Sequence, residues 1–377
     1  MEVLRRFLPK FLKTAPALSS QQLRAIWAIS HCRTPAMGGN VFACKRCGQT
    51  HFAFHSCNHK ACPQCGRQAT GRWIQRESAK RVNAPYFLVT FTLPSELRNC
   101  FFGPFAKEAY DLFFAAVSNS LAEKLATAKG LRAHVCGFTA DLHTWNQRLE
   151  FHPHIHCLVP GAGLNARGKA VRVKQADYLV LLDHLQATFH QPMRRLMESK
   201  GWQADPSIWT KDWGVHIQPA GSGAAALKYL GAYAARTAIT DARILDLTQD
   251  SVTFSWKDRS DHNRRRELNL PGIEFVKRYL RHVLPKGMRS VRYYGFCHPA
   301  AKANRMRVQF HSAMPVAFGA TASTVTSNSD SLPRCPRCDG PLRFIRRIQS
   351  AWRKRGPPSD QRGDSPRNSP FSTSMAA

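Results

Sequence analysis

Three histidines occupy alternate positions in one short segment, HPHIHCLVP at residues 152–160. They are His152, His154 and His156. On a β-strand, alternate side chains project from the same face, so the three imidazoles would point together. Imidazole is a common ligand of divalent transition metals. The spacing therefore predicts a metal site on a strand, with a packed or solvated row of histidines as the alternative.

The segment before these histidines is expected to supply a third ligand. Residues 137–145, GFTADLHTW, lead through NQRLEF into the histidine strand, as the first strand of a hairpin would. If the hairpin turns near residues 148–149, His143 lies across from His154, and paired residues on one face lie close together. The alternative third ligands are Gln147 and His152.

Two tyrosines four residues apart, Tyr229 and Tyr233, are the candidate nucleophiles. They lie in AALKYLGAYAART, residues 225–237, which has the alanine content and the periodicity of a helix. Side chains four apart share one helix face, with Cβ atoms about 5–6 Å apart. Arg236 and Lys228 of the same helix are candidate contacts to a DNA phosphate. Core packing is the alternative for aromatic residues at this spacing.

Zinc binding is predicted by the cysteines near the N-terminus, six of which fall between residues 32 and 65. In the pairs CKRC and CPQC, both thiolates of a pair can face one ion, and two pairs complete a tetrahedron. The predicted ligands are Cys44, Cys47, Cys62 and Cys65. A module of about 40 residues buries too little apolar surface to fold alone, and zinc supplies on the order of 10 kcal/mol of folding free energy.

Further cysteines and histidines remain after this assignment. A second ion could take its ligands from Cys32, Cys57, His51 and His59. The pair CPRC at residues 335–338 is half of another such site, with Cys297 or His298 as a candidate partner and a reduced turn as the alternative.

The chain is strongly basic, because 55 Lys and Arg stand against 24 Asp and Glu among 377 residues, a net charge of +31. This excess predicts a polyanionic partner, and nucleic acid is the usual one. Candidate contacts to a DNA backbone are Arg264, Arg265 and Arg266, with a solvated basic face as the alternative. No apolar run approaches the roughly 18–20 residues of a membrane span, and the basic N-terminus lacks the features of a signal peptide. We expect no membrane partner and a cytoplasmic protein.

Four regions differ in composition. Residues 1–30 are predicted to be helical, 31–68 form the cysteine-rich module, and 84–310 alternate strands with helices. Residues 311–377 are rich in small and polar types, and we expect a mostly flexible, disordered tail with one C-x-x-C pair. Strands are predicted at 85–94, 134–143, 152–160, 213–220 and 251–258, and helices at 108–128 and 225–237. This alternation predicts an α+β domain with a largely antiparallel sheet, and the absence of a G-x-x-x-x-G-K-[ST] loop argues against an ATP-driven motor.

Four features follow one another along the chain: a cysteine module, HPHIHCLVPG, WGVHIQPA and a Tyr-x-x-x-Tyr helix. In this order they resemble the HUH superfamily of single-strand DNA endonucleases. More narrowly, the chain is similar to rolling-circle transposases of the insertion sequence 91 type, which carry an N-terminal zinc-binding domain. The likeness spans about residues 15–310 and includes CRTPAMGG, FTLPSEL, HTW-x-Q and VLPKGMRSVRYYGF.

The resemblance implies a ferredoxin-like antiparallel sheet, with the histidines on a central strand and the tyrosine helix beside it. It implies that His154 and His156 hold Mg²⁺ or Mn²⁺, and that Tyr229 and Tyr233 cleave single-stranded or hairpin DNA at the ends of the element. The expected function is DNA transposition through a 5′-phosphotyrosine intermediate, on the nucleoid of a bacterial cytoplasm. The alternatives are a plasmid-type replication initiator or relaxase, and a non-catalytic zinc-dependent DNA-binding regulator.

Overall fold

The computed structural model describes residues 2–15, 17–128, 131–234, 238–311 and 333–351. The helices in these residues are α1 (Glu2–Thr14), α2 (Ser20–Ser30), α3 (Arg67–Ala79), α4 (Ala106–Thr127), α5 (Leu182–Glu198), α6 (Ala224–Ala234), α7 (Gly272–Arg281) and α8 (Lys302–His311). The strands are β1 (Gly39–Cys44), β2 (Thr50–Phe54), β3 (Tyr86–Thr92), β4 (Gly137–Trp145), β5 (Phe151–Pro160), β6 (Ala162–Leu164), β7 (Ala170–Arg172), β8 (Val215–Pro219), β9 (Ile244–Leu247), β10 (Ser251–Asp258), β11 (Arg264–Pro271), β12 (Val291–Gly295) and β13 (Leu342–Ile348).

A five-stranded antiparallel sheet lies at the centre of the fold, with the strand order β12-β4-β5-β3-β8. On one face, Phe91, Leu142 and Ile155 form a buried row that packs into one core with α4 and α5. Because side chains alternate along a strand, the adjacent positions face the other way. On that second face, Leu158 packs against Leu227 of α6. The predicted α+β class with a largely antiparallel sheet is confirmed.

A smaller antiparallel sheet, β13-β1-β2, lies in the cysteine-rich module. The turn of the β1–β2 hairpin carries Cys44 and Cys47, and β13 pairs along the outer side of β1. The prediction of a mostly flexible tail therefore needs a correction at residues 333–351, because Leu342 is buried on β1 and extends this sheet. Residues 312–332 and 352–377 of the predicted tail lie outside the described part of the chain.

A second core connects the N-terminal helices with the C-terminal half of the chain. Helices α1 and α2 bury Phe7 and Ile29 in the same cluster as Phe275 of α7 and Phe254 of β10. Helix α2 begins with a capping box, in which Ser19 and Gln22 satisfy each other's backbone N–H groups. None of the helices in the described ranges is long and apolar enough to cross a bilayer.

His282, directly after α7, connects this core with the β4–β5 hairpin. Its Nε2 donates to the carbonyl oxygen of Leu149 at 3.3 Å, and its Nδ1 lies 3.1 Å from the hydroxyl of Thr144. Burial lowers the pKa of His282 to about 4. The folded protein therefore holds this imidazole in its neutral form at pH 7.

We expect the folded state to lose stability on acidification partly through His282. An unfolded histidine, with a pKa of about 6.5, takes up a proton before the folded one does, so stability falls as the pH drops from about 6.5 to about 4. The contribution is on the order of 2–3 kcal/mol in the free energy of unfolding. Urea titrations at pH 7 and pH 4.5 measure it. His282→Gln should reduce the difference between the two pH values, whereas the exposed-site control His216→Gln should leave it unchanged; equal differences in all three proteins would contradict this assignment.

Candidate active site and cysteine clusters

The β4–β5 hairpin brings three histidines together on the second face of the central sheet. Its register pairs His143 with His154 and Asp141 with His156. One ring nitrogen from each of His143, His154 and His156 lies within 4.8 Å of the others. Three converging imidazole nitrogens at this separation could all ligate a single divalent ion.

Hydrogen bonds orient two of these rings. The Nδ1 of His154 donates to the carbonyl oxygen of His152 at 2.7 Å. The Nδ1 of His156 lies 2.8 Å from the hydroxyl of Thr90 on the neighbouring strand β3. The Nε2 of His156 is buried and has no hydrogen-bond partner among the described residues. A histidine whose other ring nitrogen is fixed by a hydrogen bond is the usual arrangement in metal sites.

The same two histidines are uncharged in the fold. Burial lowers the pKa of His154 and His156 well below the usual value, and neighbouring His143 lowers the pKa of both further. The positive charge of Arg259, in the turn between β10 and β11, acts in the same direction. Neutral imidazole is the form that binds a metal, so no proton has to be removed at pH 7.

Asp141 belongs to this site and is a residue that the sequence interpretation missed. Its side chain is 1% exposed, and its Oδ2 accepts a hydrogen bond from Nε2 of His143 at 3.2 Å. Burial raises the pKa of Asp141, whereas His143 beside it lowers that pKa. Its Oδ1 is buried without a partner among the described residues. The buried Nε2 of His156 would be satisfied by a cation, and Asp141 orients the ring of His143, so the three imidazoles fit a divalent ion.

Tyr229 of α6 lies over the histidine cluster and is partly buried. Its ring centroid is 5.6 Å from that of His156 and 6.4 Å from that of His143. Close packing holds α6 in this place, because a Cβ atom at Gly231 would lie 2.4 Å from the side chain of Ile74 on α3. A larger residue at position 231 would therefore push α6 away from α3.

The other residues predicted on this helix are only partly described. Tyr233 belongs to α6, but its side chain lies outside the described part of the structure, as does all of Arg236. Lys228 is exposed to solvent. Of the two predicted nucleophiles, Tyr229 is therefore the one whose side chain the structure describes relative to the histidines.

The two alternative third ligands lie outside the cluster of three histidines. Gln147 is in the turn after β4, where its carbonyl oxygen accepts a hydrogen bond from Arg243 at 2.5 Å. The Nδ1 of His152 lies 3.1 Å from the guanidinium group of Arg98, and its ring is 5.3 Å from that of His154. Arg98 thus engages Nδ1 of His152, and His152 is not among the residues whose ring nitrogens converge.

The cysteines form two clusters of four, not the single cluster that we predict from the two N-terminal pairs. One cluster consists of Cys32, Cys57, Cys62 and Cys65, and the other of Cys44, Cys47, Cys335 and Cys338. In each cluster the sulfur atoms lie within 4.8 Å of one another. Of the two histidines predicted for a second site, His51 has its Nε2 3.2 Å from Sγ of Cys335, while the Nδ1 of His59 accepts from the backbone of Ala61.

The length of the β1–β2 hairpin explains why the predicted grouping is wrong. Cys44 and Cys47 lie at its turn, whereas Cys32 precedes its first strand and Cys57 follows its second. Strands of five or six residues are roughly 17–20 Å long, and zinc binds sulfur at about 2.3 Å, so one ion cannot reach both ends. Each end therefore has its own set of thiols.

Local hydrogen bonds favour the thiolate form of one cysteine in each cluster, whereas burial raises the pKa of another, Cys32, to about 11. A hydrogen bond from the backbone N–H of Cys47 lowers the pKa of Cys44 to about 6. A hydrogen bond from Cys57 lowers the pKa of Cys62 to about 5. Thiolate is the form that ligates zinc.

Comparison with known proteins identifies two family regions. Residues 3–93 match the family model described as "Transposase zinc-binding domain", and residues 137–305 match the one described as "Putative transposase". The chain is 34% identical over 329 residues to the "Putative transposase y4qJ" of Sinorhizobium fredii, a match that covers 82% of this chain and 81% of the relative. The chain belongs to the insertion sequence 91 family of transposases. It is also 27% identical over 297 residues to the transposase for insertion sequence element IS801 of Pseudomonas savastanoi pv. phaseolicola, covering 74% of this chain and 70% of the relative.

Among solved structures, the transposase is similar to the conjugative relaxase TrwC in complex with oriT DNA, in its metal-bound form. The identity is 13%, the TM-score is 0.29, and the match covers 54% of this chain and 74% of that one. A second TrwC structure, with a 27-mer DNA of the recognition hairpin and the cleavage site, matches with a TM-score of 0.27 and 13% identity over 35% of this chain and 49% of that one.

As a member of this family the transposase has DNA as its partner, in agreement with its basic charge. The predicted contacts Arg264, Arg265 and Arg266 are all exposed on β11. Arg266 is paired with Asp258 at 2.9 Å and with Asp261 at 3.1 Å, which leaves Arg265 as the more available charge. The sequence interpretation missed Arg259. This residue lies in the same basic hairpin, and its positive charge lowers the pKa of His156.

Proposed function

We propose that this transposase is a metal-dependent single-strand DNA endonuclease and strand transferase that works through a 5′-phosphotyrosine intermediate in rolling-circle transposition. The observation that supports this function best is the position of Tyr229, whose ring lies 5.6 Å from that of His156 beside the three converging imidazoles. A nucleophile next to a cation site is the combination that phosphodiester cleavage needs.

The residues that would hold the catalytic ion are His143, His154 and His156, with Asp141 orienting His143. When bound, Mg²⁺ or Mn²⁺ would neutralise negative charge on the scissile phosphate. Imidazole donors suit Mn²⁺ better than Mg²⁺, so we expect higher activity with Mn²⁺ in vitro. The Thr90 hydroxyl and the His152 carbonyl keep two of the rings in the ligating orientation.

The nucleophile in this proposal is the phenolate oxygen of Tyr229. It attacks the phosphorus atom, a Tyr–O–P bond forms, and the bond from phosphorus to the 3′ oxygen breaks. The phenol proton is lost to solvent, and the leaving 3′ oxygen takes up a proton to become a free 3′-OH. Because the new ester stores the energy of the broken one, a 3′-OH can later displace the tyrosine and rejoin the strand without ATP.

A second tyrosine at position 233 would allow a second cleavage while Tyr229 is esterified. Candidate DNA contacts are Lys228, Arg236, Arg259, Arg264, Arg265 and Arg266, and their charges would hold single-stranded or hairpin ends of the element. We assign the activity to the nucleoid DNA of the bacterial cytoplasm.

An assay of strand cleavage tests this function. The purified full chain is incubated with end-labelled single strands that tile the DNA on either side of its coding sequence, with Mn²⁺ or with EDTA. We expect nicks only with Mn²⁺, with a free 3′-OH and protein attached to the 5′ end. Binding of the strands without any cleavage would instead support a non-catalytic DNA-binding regulator, and a free 5′-phosphate would indicate hydrolysis by water.

A further inference from the structure

The cluster of Cys44, Cys47, Cys335 and Cys338 brings together two cysteine pairs from opposite ends of the chain. We propose that it is a second zinc site, separate from the cluster around Cys62, and that its ion fastens the C-terminal segment 333–351 to the N-terminal module. The family match to a zinc-binding domain ends at residue 93, so it includes only half of this cluster. This inference does not depend on the proposed catalytic activity.

The sulfur positions fit a tetrahedral ion. Sγ of Cys44 lies 3.5 Å from that of Cys338, and Sγ of Cys47 lies 3.8 Å from that of Cys335. None of the four is in a disulfide. Zinc–sulfur bonds of about 2.3 Å in a tetrahedron place the sulfurs roughly 3.8 Å apart, which matches these separations.

The two pairs also have the same backbone conformation. The N–H of Cys44 donates to the carbonyl oxygen of Gln49, and the N–H of Cys335 donates to that of Gly340, in both cases five residues on. Four residues after each first cysteine, Gly48 and Asp339 have positive φ values of 72° and 56°. At these same two positions the N–H donates back to the carbonyl oxygen of the first cysteine. Two matching turns that face each other across four sulfurs are the geometry of paired zinc knuckles.

Close packing around the sulfurs supports this arrangement. A Cβ atom at Gly340 would lie 3.0 Å from Sγ of Cys44 and 3.3 Å from Sγ of Cys338, so only glycine leaves room there. The N–H groups of Arg46 and Cys47 point at Sγ of Cys44, at 3.3 and 3.4 Å. Backbone N–H groups aimed at a sulfur stabilise its thiolate form.

The ion would hold a strand that has little apolar surface of its own. Leu342 is the one residue of β13 that is buried, and five of the seven residues of β13 are exposed. Apart from its pairing with β1, this strand contributes almost nothing to a core. We infer that zinc supplies the free energy that keeps β13 on β1, as it does in small metal-dependent modules.

Metal content tests the inference directly. All proteins carry His154→Ala and His156→Ala, so that the histidine cluster cannot add zinc to the total. We expect native mass spectrometry and elemental analysis of the full chain to give two zinc ions, one for each four-cysteine cluster. Cys335→Ser/Cys338→Ser should retain one ion, as should Cys44→Ser/Cys47→Ser. The quadruple variant should also retain one, because both pairs share a single ion. The matched control Cys136→Ser/Cys297→Ser, outside both clusters, should retain two.

Two results would overturn this proposal: two zinc ions in Cys335→Ser/Cys338→Ser, or a quadruple variant that loses more zinc than either pair alone. A cobalt titration of the chain with intact cysteines keeps the test decisive if the serine variants fail to fold. Two equivalents that give the tetrathiolate absorption support the second site, and one equivalent contradicts it. The rate of tryptic cleavage within β13, at Arg343, Arg346 or Arg347, should rise at least about tenfold in Cys335→Ser/Cys338→Ser, because this variant lacks the ion that holds β13 on β1.

Discussion

Replacement of Tyr229 by phenylalanine should lower the rate of single-strand nicking by at least about a thousandfold, because the phenylalanine ring keeps the packing of α6 but has no oxygen to attack phosphorus. The ring of Tyr229 lies beside those of His156 and His143 and is partly buried, so the substitution preserves these contacts. Single-turnover cleavage of a labelled strand in Mn²⁺ measures the rate.

Two further variants make this experiment interpretable. Tyr178→Phe removes a hydroxyl from an exposed tyrosine outside the site and should leave the rate unchanged. Tyr233→Phe tests the second tyrosine, and we expect it to reduce the joining of two ends more than the first cleavage. Equal nicking by Tyr229→Phe and the unsubstituted protein would refute the assignment of this nucleophile.

Loss of the two histidines on β5 should have an effect of similar size. We expect His154→Ala/His156→Ala to reduce nicking about a thousandfold, because two of the three imidazoles that would neutralise the phosphate through a metal are removed. Calorimetric titration with Mn²⁺ should show a binding event in the unsubstituted protein that is absent from the variant.

His152→Ala is the matched control for this variant. His152 lies on the same strand face and next to His154, but its Nδ1 contacts Arg98 and the residue is not part of the group of converging nitrogens. We expect Mn²⁺ affinity close to that of the unsubstituted protein and a loss of activity of less than about tenfold. Loss of Mn²⁺ binding in His152→Ala, with retention in His154→Ala/His156→Ala, would contradict the proposed ligand set.

The periodicity and composition of short segments were sufficient to predict the strands and the helix that carry the histidines and Tyr229. The expected strands at 134–143 and 152–160 correspond to β4 and β5, and the alanine-rich segment at 225–237 corresponds to α6. The position of the hairpin turn follows from the two flanking strands, so the pairing of His143 with His154 could be predicted from the sequence. These inferences depend on neighbours within about twenty residues, where periodicity and turn length determine the geometry.

The grouping of the cysteines could not be derived in the same way. Cys335 and Cys338 lie almost 300 residues after Cys44, and spacing carries no information about which pairs meet over such a distance. One signal was present in the sequence, since a hairpin of two five- to six-residue strands separates its turn from its ends by more than one ion can bridge. That argument requires β1 and β2 to be recognised first.

Asp141 was missed for a different reason. An aspartate two residues before a candidate ligand shares its strand face, but most aspartates are exposed and unrelated to metal. Only the burial of Asp141 and its hydrogen bond to His143 distinguish it. Burial depends on which elements pack over this face of the sheet, and that is a property of the tertiary fold.

The central claim is that Tyr229, beside the histidine cluster, forms a covalent bond with DNA. The most direct measurement is to trap the protein on an end-labelled single strand in Mn²⁺, digest both components, and locate the modified peptide by mass spectrometry. We predict a nucleotide attached through its 5′ phosphate to Tyr229 in the first cleavage. A modified peptide from outside α6, or cleavage with no covalent protein–DNA bond, would contradict the proposed mechanism.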